Sequence, residues 1–347
     1  MVTFKGVAAS VVEHLGLLDM YSLVRRALTH SQVAILMYHH VIPESENPPW
    51  LPPTVSLEDF ERGIAYLRKA ADIVPLDSLV SRLVQKQPLP RKVVSITFDD
   101  GYKDNYRFAY PILRKYNLPA TIFLTTGFIG NSDAYWDYKI YFAIWNTSKT
   151  ELEIEGLGQY YLNSSADRRK AMREIIARLM ELSDREKNHL VGRLLEGLRV
   201  EIPGEFGDEI NLSWDEVMEM SKNGISFGAH TVTHPILTKL PIGEAKEEIA
   251  RSKKDIEERL GVPCTSFAYP NGDFNDEIVG LVMERGFTCA VTTIQRMVNR
   301  NAEPFKLNRI SAGPVYYGLK GTLSGFYLDL DPVISMISRI KSRMSRS

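Results

Sequence analysis

Val93-Val-Ser-Ile-Thr-Phe98-Asp99-Asp100-Gly101-Tyr102 decides how the rest of the chain is read. Its first six residues carry no charge and are rich in β-branched side chains, the signature of a short buried strand. Two carboxylates follow at once, where like charges repel and both lose hydration. A turn or a helix cap accounts for one aspartate but hardly for two. A metal ion would give each a task, one carboxylate holding the ion and the other taking a proton from water. The stretch thus ends a strand and opens a candidate site, as in folds whose chemistry lies at the C-terminal edge of parallel strands.

The same rhythm extends both ways. Upstream, Val33–Tyr38 is another buried strand, and Ser56 opens a helix with Phe60, Ile64 and Leu67 on one face. Downstream, Asn105–Tyr116 reads as a helix and Pro119–Thr125 as a strand. After a break, helices are expected at Trp214–Lys222, Gly243–Leu260 and Asp276–Arg285. Strands are expected at Ile225–Ala229, Thr265–Tyr269, Thr288–Thr292 and Lys306–Ile310. Such alternation means a parallel sheet wrapped by helices. Seven strand candidates favour a closed barrel over an open sheet.

The break, residues 130–212, starts with an aromatic cluster around Tyr135-Trp136-Asp137-Tyr138 and runs into charged helical sequence at Ala166–Leu198. It is expected to be a helical insertion, not an independent domain, because helices so charged bury little alone. Residues 1–31 form an N-terminal segment, with a helix expected over 7–29. Residues 313–347 form a C-terminal tail. Within it Val333–Ser347 carries Arg339, Lys341, Arg343 and Arg346 with Ile334, Ile337, Ile340 and Met344 at helical spacing, a basic amphipathic pattern suited to peripheral membrane contact.

Composition excludes other classes. At 347 residues and 44% hydrophobic content the chain can bury a core without staples. Forty-two Lys+Arg against 43 Asp+Glu leave too few cations for broad nucleic-acid binding. Cys264 and Cys289 are too few for a disulfide framework. No stretch approaches the roughly 18 apolar residues of a membrane span, and no secretory signal is evident. The expected location is cytoplasmic or peripheral on the inner membrane face.

Three further clusters fall at predicted strand ends. His230-Thr-Val-Thr-His234 has the i, i+4 spacing that puts two imidazoles on one face of a helical turn, a way to chelate a transition metal. With Asp100 it gives two histidines and one carboxylate, a set suited to zinc and also to divalent iron or cobalt. Phe267-Ala-Tyr-Pro-Asn-Gly272 marks a tight turn whose amides could face the site. Tyr38-His39-His40 ends the first strand, and alternation lets at most one of the two histidines face the chemistry as a proton donor. His14, His30 and His189 have no metal-like neighbours, and Ser213 with Glu216 is a capping box.

In this order, Thr97-Phe-Asp-Asp-Gly101, His230-Thr-Val-Thr-His234 and Phe267-Ala-Tyr-Pro-Asn-Gly272 resemble the polysaccharide deacetylase family, carbohydrate esterase family 4, also called the NodB-homology domain. The resemblance is strongest to the poly-N-acetylglucosamine deacetylase branch. It implies an α/β fold, a distorted (β/α)7 barrel over residues 32–312 with the helical insertion at about 130–212. It implies a hydrolase that uses one divalent metal ion, zinc first and cobalt, nickel or iron otherwise, to remove N- or O-acetyl groups from an amino-sugar glycan or its precursor. By the same resemblance Asp99 is the general base, Asp100, His230 and His234 are the metal ligands, and the amide of Asn271 donates to the oxyanion. In that branch the catalytic acid comes from an early Tyr-His strand end, which selects His39. Ala268 stands where the family places an arginine that braces the base. Tyr269 and Trp136 are candidate substrate contacts, Trp136 by stacking on a sugar ring. Two alternatives remain, a catalytically silent carbohydrate-binding protein of the same fold and a small-molecule amide hydrolase.

Overall fold

The computed structural model describes residues 32–51, 54–90, 92–299 and 301–312. The expected helix over 7–29 and the basic tail after 312 lie outside the described residues. Seven parallel strands follow one another around a closed barrel: β1 (Gln32–Tyr38), β2 (Lys92–Phe98), β3 (Ala120–Leu124), β4 (Ile225–Ala229), β5 (Ser266–Ala268), β6 (Cys289–Gln295) and β7 (Leu307–Ser311). Strand β1 closes the ring, pairing with β2 from Gln32↔Lys92 to Tyr38↔Phe98 and with β7 at Leu36↔Ile310. The distorted (β/α)7 barrel is thus observed, with every strand where its apolar run lies.

The distortion has a local cause. Strand β3 joins β2 only at the C-terminal end of β2, Thr97↔Thr121, and a two-residue strand at Asp72–Ile73 fills the same edge of β2 nearer its N-terminal end, Asp72↔Val93. Strands β4 and β5 meet through the single pair Phe267↔Ala229.

Helices cover the outside. They are α1 (Leu57–Ala70), α2 (Leu76–Val84), α3 (Tyr110–Tyr116), α7 (Trp214–Lys222), α8 (Ile242–Leu260) and α9 (Asp276–Glu284), with α4 (Trp136–Asn146), α5 (Ser165–Glu181) and α6 (Asp184–Leu198) in the insertion. Ser56 caps α1 by accepting from Asp59 N, and Ser213 with Glu216 forms the expected capping box on α7. Buried Phe60, Ile64 and Leu67 of α1 and Ala245, Ile249 and Ile256 of α8 pack on strand residues such as Leu36, Ile96 and Phe227. A π-helical turn at Asn105–Ala109 precedes α3, so the first turn after the double aspartate is wider than an α-helix.

The insertion at 130–212 is more than charged helix. Helices α4 (Trp136–Asn146), α5 (Ser165–Glu181) and α6 (Asp184–Leu198) enclose a two-stranded hairpin, Glu151–Ile154 with Gly158–Tyr161. They share a core of their own, including Ile140, Ile144, Leu152, Ile175, Leu179 and Leu194. The expectation that these helices bury little is corrected by spacing. Ala171, Met172, Ile175 and Leu179 recur at i, i+1, i+4 and i+8, so α5 keeps an apolar stripe beneath its charges.

Candidate metal centre and active site

All the expected motifs meet at the C-terminal rim of the barrel, in one cleft of about 520 Å³. Asp99 and Asp100 follow β2, His230 follows β4, and Asn271 sits in the turn after β5. Four non-glycine residues in these loops have left-handed backbones: Asp100 (φ 74°), Thr231 (φ 66°), His234 (φ 60°) and Asn271 (φ 56°). For β-branched Thr231 that conformation is costly, and such strain persists only where the surroundings overdetermine it.

Asp100 Oδ1 lies 3.4 Å from Nε2 of His230 and 3.4 Å from Nε2 of His234. The same oxygen is buried with no hydrogen-bond partner. A buried acceptor left unpaired between two imidazole nitrogens fits a cation shared by all three. His230 donates from Nδ1 to Ala268 O at 2.7 Å, which leaves its Nε2 lone pair turned to the centre. Burial pushes His234 down to about 4, keeping that ring neutral and able to coordinate. Within the described residues, these three side chains are the group of such donors close enough to hold an ion.

The two histidines do not share a helical turn, as their spacing had suggested. The segment is a loop, bent twice by Thr231 and His234. Glu248 of α8 holds it in shape, accepting from Val232 N (2.7 Å), Thr233 N (2.9 Å) and the Thr233 hydroxyl (2.8 Å). Tyr135, from the insertion, donates its hydroxyl to Asp100 O at 2.8 Å.

Asp99 has a different partner. Arg309 of β7 donates from both terminal nitrogens to its two oxygens, each at 2.6 Å, and from Nε to Thr292 O at 2.8 Å. Both side chains are essentially fully buried. Burial works to raise the Asp99 carboxyl, but the guanidinium overrides it and holds the group below the usual carboxylate range. The arginine missing at Ala268 is therefore supplied from another strand. One sequence signal could have found it. In β7, Leu307 and Arg309 lie on the same face, and an arginine on the inner side of a barrel strand needs a carboxylate partner.

His39 and His40 part company as alternation requires. Nε2 of His39 stands 3.9 Å from Asp99 Oδ2, and its side chain is 44% exposed. His40 turns to Asp104 and Tyr138. Trp136 and Asn271 line the cleft. Tyr269 is not brought there. It is fully buried, stacks on Phe274 at 5.1 Å and donates its hydroxyl to Phe305 O at 3.0 Å. Beyond Trp136 the insertion adds Tyr138 and Tyr141 of the aromatic cluster to the cleft, together with Lys187, which sequence reasoning did not single out.

A family model described as polysaccharide deacetylase matches residues 86–290. The candidate polysaccharide deacetylase YxkH of Bacillus subtilis is 25% identical over 301 residues, 86% of this chain and 77% of that protein. A poly-β-1,6-N-acetyl-D-glucosamine N-deacetylase of Staphylococcus aureus is 37% identical over 81 residues, 23% of this chain and 28% of that one. Among solved structures, the Streptococcus pyogenes deacetylase PplD in complex with acetate aligns with a TM-score of 0.57 at 22% identity, covering 85% of this chain and 99% of that one. IcaB from Ammonifex degensii aligns at 0.56 and 19% identity, covering 85% and 98%.

Proposed function

Because the chain belongs to the polysaccharide deacetylase family, we propose that it is a divalent-metal-dependent hydrolase removing N-acetyl groups from an amino-sugar glycan or its precursor. The observation that carries this is the unpaired Asp100 Oδ1 between His230 and His234, beside an Asp99 kept ionised by Arg309. An ion held by Asp100, His230 and His234, zinc first, would make water more acidic and polarise the acetyl carbonyl. A silent binding protein gains nothing from two desolvated acids beside two histidines.

The side chains then divide the work. Asp99 takes a proton from the attacking water, and its bidentate arginine fixes the direction of its lone pairs. The Asn271 amide donates to the oxyanion of the tetrahedral intermediate, a contact typically worth about 3–4 kcal/mol. His39, whose Nε2 stands 3.9 Å from Asp99 Oδ2, protonates the departing amine. Trp136 offers a ring face to the sugar. The Staphylococcus relative supports a poly-N-acetylglucosamine type of substrate. No described helix is long and apolar enough to cross a membrane. We place the activity in the cytoplasm or at the inner membrane face, where the basic sequence Val333–Ser347 could meet anionic headgroups. Recovery of the protein on the outer side of the cell membrane would refute that placement.

Acetate release from a panel of acetylated glycan oligomers, with Zn²⁺, Co²⁺ or a chelator, tests the proposal. Release that the chelator abolishes and the metals restore is expected. No release from any glycan by metal-loaded protein would overturn it, and release from small N-acyl compounds alone would point to an amide hydrolase.

A further inference from the structure

Among the described residues the ring of His39 makes no hydrogen bond, and Asp99 is its ion-pair neighbour at 3.9 Å. Its aim is set by the backbone that carries it. That backbone is tied at four consecutive residues. Tyr38 O accepts from Asp99 N at 3.0 Å and His40 O from Val55 N at 3.2 Å. His39 O accepts from Asn105 Nδ2 at 2.8 Å, and Val41 N donates to Asp104 Oδ1 at 3.0 Å. Asp104 and Asn105 are buried in the turn that directly follows Asp99 and Asp100, and Asn105 Nδ2 also donates to Asp104 Oδ1 at 2.9 Å.

His40 closes the clamp. Its Nδ1 faces Asp104 Oδ2 at 2.5 Å, so Nδ1–H donates to the carboxylate and leaves the Nε2 lone pair to accept from the Tyr138 hydroxyl. The ring lies flat on Tyr102, with centroids 3.9 Å apart and planes 20° from parallel. Both ring nitrogens of His40 are paired, and that pairing leaves the ring one pose.

We propose that His40, clamped between Asp104 and Tyr138, is a positioning residue that works with Asn105 to aim His39 at the leaving nitrogen. The proposal rests on His39 being the proton donor. Tyr138 belongs to α4, so the insertion holds the acid in place through a single hydroxyl. The chemical consequence is selective. As the C–N bond breaks, its electron pair passes to nitrogen, which must take the His39 proton to leave as an amine. An aryl acetate expels a phenolate that departs without one. Loss of aim therefore slows amides and spares aryl esters.

The test compares zinc-loaded wild type with His40→Phe, Asn105→Ala, Tyr138→Phe and His39→Ala. His40→Phe keeps a ring on Tyr102 and deletes both hydrogen bonds. The readouts are kcat and KM for an N-acetylated glycan oligomer, the rate on 4-nitrophenyl acetate, and bound zinc. For His40→Phe, kcat on the amide should fall about tenfold or more with KM and zinc unchanged, while aryl acetate cleavage stays within about twofold. His39→Ala should show the same split with a larger amide loss, and adding His40→Phe to it should cost little more. A parallel loss on both substrates would make His40 merely structural. No loss in His40→Phe while His39→Ala is impaired would refute the positioning role, whereas an unimpaired His39→Ala would refute the acid assignment beneath it. Should His40→Phe fail to fold, Tyr138→Phe and Asn105→Ala carry the same comparison.

Discussion

Arg309 grips Asp99 with two parallel hydrogen bonds of 2.6 Å from the far side of β1, the strand that lies between β2 and β7 in the barrel wall. The pair closes the barrel chemically at the point where β1 closes it geometrically. Arg309→Met keeps much of the side-chain volume and leaves Asp99 buried without its two guanidinium hydrogen bonds. Removing one member of a buried pair typically costs about 3–5 kcal/mol. Urea unfolding should show a loss of that order, and Arg309→Met combined with Asp99→Asn should be more stable than Arg309→Met alone, because the stranded charge is gone. A double variant no better than the single would mean that the pair is not what holds this rim together.

The metal ligands and the base are separable by analysis of bound metal. Asp99→Asn keeps the shape of the site and leaves Asp100, His230 and His234 untouched. Bound zinc should therefore persist while turnover falls by about a hundredfold or more, the usual weight of a general base. His230→Ala should lose both metal and turnover. Near-normal acetate release by Asp99→Asn would remove it from the role of base.

Much of this centre was legible in the sequence because each of its loops follows directly from a strand. Asp99, Asp100 and His230 stand one or two residues beyond apolar runs, and a barrel brings such ends together. Arg309 was not legible as a partner of Asp99, since 210 residues separate them and only the closure of β1 onto β7 makes them neighbours. The loop shape of His230–His234 was hidden for a similar reason. It depends on Glu248, which lies on a different element and replaces the hydrogen bonds a helical turn would have made. The hairpin at 151–161 escaped notice because its strands are four residues each and five of their eight residues are exposed. Tyr269 was misplaced by proximity alone, for it shares a turn with Asn271 but points into the core.

Asp137, next to Trp136 in the cleft wall, has a pH dependence of its own. Burial and the nearby Asp100 charge push it up to about 7, against an ordinary 3.8. Between these values the folded protein holds a proton that the unfolded chain has released. Stability on this account is full below about pH 4, falls as pH rises toward 7 and is level above that. Asp137→Asn cannot ionise and escapes the penalty. Calorimetric melting from pH 4 to pH 8 should show matching Tm values at the acid end and a variant increasingly more stable than wild type toward neutrality. A constant difference across the range would rule out the raised carboxyl.

Gly272 follows Asn271 in the tight turn, with φ of 70°. A Cβ there would stand 2.1 Å from Thr293 Oγ1 and 2.6 Å from Thr293 N, a backbone atom that cannot step aside. Gly272→Ala must therefore open the turn, at a cost of about 1–3 kcal/mol from crowding and about 1–2 kcal/mol from the left-handed backbone. The movement falls on Asn271, whose carbonyl accepts from the Thr293 hydroxyl at 3.1 Å and whose amide is assigned to the oxyanion. The metal ligands sit on other loops and feel it little. Zinc affinity should stay close to wild type while kcat drops by about tenfold or more, the weight of one misplaced oxyanion donor. Zinc titration alongside single-turnover acetate release decides the matter. A variant that melts earlier yet keeps its kcat would show that the turn serves packing alone, and the oxyanion donor would then have to be sought elsewhere on the rim.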